Sequence, residues 1–234
     1  EKWDFHELSL QGPASGNPYK EVQLTASFSL GPRTLTVSGF YEGQGIYKIR
    51  FMPDAVGQWT YLTSSKHETL NNKQGQFTCV KNTGMNHGPV RVAHKYHFAH
   101  ADGHPFKPFG TTCYMWHHEA EDKQAQTVKT LSAAPFNKLR MLVFPWSFVN
   151  KGNPALGVFQ SDAEGKFDFE RFNPAYWANL EKRLHQLRDL GIEADMIVMH
   201  GALPKHAEAF YLQYLTSRIA PFRNVWWCLA NEFN

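Results

Sequence analysis

The feature that most constrains the fold is a change of period near residue 105. Before it, short segments of rough apolar–polar alternation recur: "KEVQLTASFSL", "RTLTVSGFYEG", "GIYKIRFMPD", "GQWTYLTSS" and "GQFTCVKN". Turn chemistry separates them, at Gly31-Pro32, Gly43-Gln44-Gly45, Pro53-Asp54 and Asn71-Asn72. Short strands at this spacing predict a β-sandwich. The Gly/Asn/Pro-rich passage 82–92 reads as a linker, and Asp102-Gly103 between two apolar-aromatic runs predicts a hairpin. Beyond 105, near-continuous apolar runs alternate with helical stretches. Strands are expected over 106–116, 136–146, 192–200 and 224–234, and helices over 119–133 and 205–220. A third helix starts at Asn173-Pro174, where Asn caps and Pro occupies the first turn, and stops at Gly191. Its apolar face is Trp177, Leu180, Leu184 and Leu187. Between Ser147 and Phe172 the reading is a long polar loop. Strand–helix alternation of this kind predicts parallel β-α units.

No Gly-rich phosphate loop follows the first of these strands, which weighs against a dinucleotide fold. A (β/α)8 barrel is favoured because polar and aromatic residues gather at the strands' C-terminal ends, where a barrel carries its active site. They are Trp116, His117 and His118, then Trp146, His200, Asn231 and Glu232. The composition, 42% hydrophobic and 19% charged, supports a sizeable core. The net charge of +3 is spread without a Lys/Arg block, so neither nucleic acid nor a membrane is expected as partner. Cys79, Cys113 and Cys228 are odd in number and lack CxxC spacing. Read as free thiols, they favour a reducing, cytoplasmic location; a removed leader would instead make the protein periplasmic or secreted. The histidines at 94, 97, 100 and 104 straddle the hairpin turn, and His117-His118 point to different sides, so no metal is expected at either place.

The segments "GFYEGQGIYKIRFMPDAVGQWTY", "NHGPVRV", "FAHADGHPFKPFGTTCYMW", "FNKLRM", "GIEADMIV" and "NVWWCLANEFN" resemble, in order, the apiosidase-like glycoside hydrolases. The resemblance implies a multidomain β plus α/β protein. Residues 1–92 would be an immunoglobulin-like β-sandwich and residues 93–234 the first half of a (β/α)8 TIM barrel of the retaining-glycosidase clan. Glu232 matches the clan's strand-four acid/base, and Asn231 the partner of the substrate's 2-hydroxyl. Arg140 is similar to the strand-two arginine that holds the nucleophilic carboxylate. His200, His117, Trp116 and Trp146 lie where sugar-contacting groups often sit.

The chemistry agrees with these roles. Glycosidic cleavage needs a carboxylic acid at the leaving oxygen and a second carboxylate across the sugar, about 5–5.5 Å away in a retaining enzyme. The acid must stay protonated, and a strand end flanked by Trp226, Trp227 and Phe233 offers the desolvation that raises a carboxyl pKa. The clan's nucleophile stands on strand seven, and no residue here matches it. The expectation is a chain that ends after strand four of a longer barrel and is inactive alone. A carbohydrate is the expected ligand, with no cofactor or metal. The open edges of the half-barrel make a second copy of the chain, a homo-oligomer, the first candidate to cover them. The alternative reading is a non-catalytic carbohydrate-binding protein. A sugar isomerase or aldolase would need a metal cluster or a Schiff-base lysine, which these strand ends lack.

Overall fold

The structure is a computed structural model, which describes residues 1–144, 156–199 and 203–231. It contains two compact units, neither continuous in sequence. The first comprises Glu1–Pro89, His100–His104 and Gln213–Arg223; the second comprises Val90–Ala99, Pro105–Leu212 and the chain from Asn224 onward.

Seven strands build the first unit: β1 (His6–Gln11), β2 (Leu24–Leu30), β3 (Arg33–Ser38), β4 (Phe40–Gly43), β5 (Ile46–Phe51), β6 (Gly57–Ser65) and β7 (Gln74–Cys79). A short helix, α1 (Pro18–Glu21), follows β1. The strands pair antiparallel in two sheets, β1-β5-β4 and β3-β2-β6-β7. Alternation turns Leu24, Ala26 and Phe28 of β2 inward, and likewise Tyr47, Ile49 and Phe51 of β5. Phe28 stacks on Phe51 at 4.3 Å, and Phe51 meets Trp59 edge-on at 4.8 Å, so aromatic rings join the two sheets in one core. Each such buried side chain contributes about 1.5–3 kcal/mol.

The second unit continues with β8 (Val90–Ala93), β9 (His97–His100), β10 (Pro105–Phe106), β11 (Gly110–Thr112), α2 (Glu121–Ser132), β12 (Lys138–Leu142), β13 (Phe159–Ser161), β14 (Phe167–Phe172), α3 (Pro174–Asp189), β15 (Glu193–Met199), α4 (Lys205–Ile219) and β16 (Val225–Ala230). The last residues of α4 count with the first unit. Strands β11, β12, β15 and β16 form a four-stranded sheet, parallel throughout. On one face Leu139, Met141, Ala194 and Met196 of the two central strands are completely buried. The Tyr176 hydroxyl of α3 donates to Val143 O at 2.6 Å, and that of Tyr211 on α4 to Val198 O at 2.8 Å. Each bond ties a helix to the chain at the end of a strand.

Helix α3 forms where its signals predict. Asn173 Oδ1 accepts from Ala175 N at 3.1 Å, Pro174 opens the first turn, and the face Trp177, Leu180, Leu184 and Leu187 is fully buried. Gly191, at φ +71°, closes it: Gly191 N donates to Arg188 O and Ile192 N to Leu187 O, which satisfies the last carbonyls. Asn173→Ala is expected to cost about 1 kcal/mol, read as a lower urea midpoint at unchanged slope. The hairpin also forms. Strand β9 pairs with β10, Gly103 sits at φ +93°, and Gly103 N donates to His100 O at 2.9 Å.

Three expectations need correction. The polar stretch before α3 contains an antiparallel hairpin, β13–β14, around Asp162, whose carboxylate accepts from Lys166 N at 2.7 Å. Its charges hid a period-two pattern whose rings, Phe159 and Phe172, stack at 4.9 Å in full burial. The first parallel strand is only Gly110–Thr112; the chain then turns into a short 3-10 helix at Trp116–His118. Trp227, expected as part of a desolvated wall at the strand end, is 43% exposed, because β16 lies at the sheet edge and Trp227 and Leu229 project where no described element covers them.

Candidate active site

All four parallel strands point the same way, so the segments leaving them lie along one end of the sheet. Trp116, His117 and Asn231 lie there. Trp146, His200 and Glu232, with Pro145 and Phe233, are outside the described residues.

The half-exposed face of this sheet carries charge. Its register sets Thr112 beside Arg140, Arg140 beside Asp195, and Asp195 beside Trp226. Cross-strand neighbours share a face, so a hydroxyl, a guanidinium, a carboxylate and an indole form one row. The row before it pairs Lys138 with Glu193. The row after it, Leu142, Ile197 and Cys228, is apolar and packs with Met115.

Arg140 links these rows. Its Nη1 donates to Asp195 Oδ2 at 3.1 Å, and its Nη2 to Asn231 Oδ1 at 3.2 Å and Cys228 Sγ at 3.4 Å. Burial opposes the guanidinium charge, but the Cys228 sulfur and the Asp195 carboxylate outweigh it, so its pKa lies above that of an ordinary arginine. Lys138 Nζ also bonds Asp195 Oδ2 and lies 5.1 Å from the Trp226 ring centre. Trp226 Nε1 in turn donates to Glu193 Oε2 at 2.8 Å. Asp195 is thus shared by two cations while nearly buried. It was absent from the sequence-based candidates. The signal that could have found it is its place on the strand after Arg140, two parallel strands whose equivalent positions carry opposite charges.

The consequence falls on Asn231. Arginine has only donors, so the oxygen of the Asn231 amide must face Arg140. The Nδ2 group is then left as a donor, oriented by a planar fork that is itself anchored on Asp195.

Trp116 and His117 are placed differently from the expectation of sugar contact. Trp116 is 3% exposed and His117 0%, so neither offers a ring face to a ligand. The short turn folds both inward. Tyr176 Oη gives its proton to Val143 O, so its 3.4 Å contact with His117 Nε2 is one in which the imidazole donates. His117 Nδ1 is then bare and buried without a partner. His118 donates Nδ1–H to Leu156 O at 3.2 Å, which leaves Nε2 equally bare. Both rings are neutral. Burial, reinforced by repulsion from Arg183 and from His118 whenever that ring is protonated, holds His117 well below the usual histidine range; burial pulls His118 down to about 4 against the weaker pull of carbonyl hydrogen bonds. Among the described residues no group of three or more His, Cys, Asp or Glu is arranged to hold a metal ion, and no helix is long and apolar enough to cross a membrane.

Comparison with known proteins adds to this geometry. Residues 1–66 match a domain of unknown function, DUF5060. Curated proteins yield no match. A provisionally assigned glycoside hydrolase from Bacteroides vulgatus ATCC 8482 is 43% identical over 99% of this chain, with a TM-score of 0.92. The chain spans 49% of that relative's length. A family 5 glycoside hydrolase from the same organism, 17% identical over 64% of this chain and 34% of its own, superposes with a TM-score of 0.50 and shares the fold alone. Residues 93–234 match the apiosidase-like catalytic domain, and the chain belongs to that family.

Proposed function

We propose that this chain is part of a retaining glycoside hydrolase that cleaves O-glycosyl bonds in an oligosaccharide or polysaccharide. In this reading residues 1–92 are an immunoglobulin-like sandwich. Residues 93–234 supply the first four strands of a (β/α)8 barrel, whose inner wall is the face bearing Arg140 and Asp195. The observation that carries the reading is the Arg140 fork, which turns the Asn231 amide so that its Nδ2 is free to donate. A sugar hydroxyl accepts such a bond, and the next residue is Glu232.

Glu232 then protonates the leaving glycosidic oxygen while a second carboxylate attacks the anomeric carbon and forms a glycosyl ester. Water, deprotonated by the same Glu232, releases the sugar with retained configuration. The second carboxylate lies outside residues 1–234, so the 234-residue chain alone is expected to be inactive. The test is hydrolysis of a panel of oligosaccharides and aryl glycosides by the intact protein, with the product anomer read by NMR before mutarotation. Retention supports the mechanism. Inversion refutes it, and glycan binding without hydrolysis across the panel favours a non-catalytic carbohydrate-binding protein.

A further inference from the structure

The outer face of the four-stranded sheet in the first unit has an unusual chemistry. Inward alternation of Leu24, Ala26 and Phe28 sends Ser27 and Ser29 of β2 outward. The register aligns Ser29 with Thr60 and Thr60 with Gln76; it aligns Ser27 with Leu62 and Leu62 with Gln74. These six residues line a groove of about 590 Å³, within the usual range of ligand sites. No outward-facing position on the four strands bears a charge. A solvated protein face usually carries roughly 25–35% charged residues.

We propose that this groove binds an uncharged glycan chain. Sugar hydroxyls both donate and accept hydrogen bonds, and so do serine and threonine hydroxyls and glutamine amides, whereas lysine only donates and a carboxylate only accepts. Part of the groove is preset: Ser27 Oγ is held by Thr36 Oγ1 at 3.0 Å and Ser29 Oγ by Thr34 Oγ1 at 2.8 Å. Among the described residues the side chains of Thr60, Gln74 and Gln76 make no hydrogen bond, which leaves them for a ligand. Leu62, 47% exposed at the groove's middle, supplies the apolar contact that a pyranose face requires. A glycan laid across the strands meets a new pair of side chains at each strand spacing of about 4.7–4.9 Å. The missing charge decides among occupants: with no cation on the face, acidic polysaccharides and nucleic acid gain nothing there. A second copy of the chain would need a larger apolar centre than one leucine.

The inference is independent of the proposed catalytic reading, and its test needs no turnover. The 234-residue chain is run in native gels that contain soluble mixed-linkage β-glucan, arabinoxylan, galactomannan, polygalacturonate or alginate. Retardation is expected with at least one of the three neutral polymers and with neither acidic one. Gln74→Ala/Gln76→Ala should weaken that binding at least tenfold at an unchanged melting temperature. Absence of retardation by all three neutral polymers would overturn the proposal. So would equal retardation by the acidic ones, unchanged binding by the double variant, or self-association that Leu62→Arg abolishes.

Discussion

Glu232→Gln is expected to lower kcat/KM of the intact protein by about 10²–10⁴-fold on glycosides with poor leaving groups. The amide keeps the volume and hydrogen bonding of the carboxyl but has no proton to give. The loss should shrink on aryl glycosides whose leaving phenolate needs little protonation, because the first step then runs without the acid. The second step still lacks its base, so a glycosyl-enzyme should accumulate and a burst should precede slow turnover. A uniform loss across leaving groups would instead assign Glu232 a structural part. A full loss only for activated substrates would move the acid elsewhere.

The second large effect is acid destabilisation centred on the turn at Trp116–His118. Buried and neutral in the folded state, His118 titrates at about 4 against an ordinary 6.5, and His117 is displaced in the same direction. Between those values the unfolded chain binds protons that the folded chain excludes, so stability falls as pH falls. The contribution is fully present above pH 6.5 and is lost progressively toward pH 4. For His118 alone that gap corresponds to about 3 kcal/mol. Urea midpoints measured from pH 7.5 to 4.0 should decline steeply below pH 6.5. His118→Gln should flatten that decline while it lowers stability at pH 7.5. Parallel slopes for parent and variant would remove His118 as the cause.

What was legible in the sequence was local. Asn173-Pro174, the three-four spacing from Trp177 to Leu187, and Gly191 specify a helix and both its ends, because a cap, a ring-locked φ and a left-handed residue act over one turn. Asp102-Gly103 likewise sets its hairpin through backbone conformation alone. The strand alternation around Phe28 and the apolar runs of β12 and β15 follow from which face must leave water. Polarity misled the reading at β13–β14, where charged outward residues masked buried phenylalanines. It misled again at Trp227, since a tryptophan's burial depends on what lies over the sheet edge.

The candidate site divides along the same line. That Asn231 follows an apolar strand, and that Arg140 lies within one, could be read directly. That Arg140 reaches Asn231 while braced on Asp195 and alongside Lys138 depends on the parallel register of three strands far apart in sequence, and no local signal encodes a register. His117 and Trp116 follow the first parallel strand and were assigned by position; a short 3-10 turn buries them. The sequence by itself determined which segments are strand or helix and which residue types each strand presents at its end. Only the tertiary structure decided which of those residues meet, which face water, and which lose their charge to burial, because these properties belong to neighbours that the chain brings together only on folding.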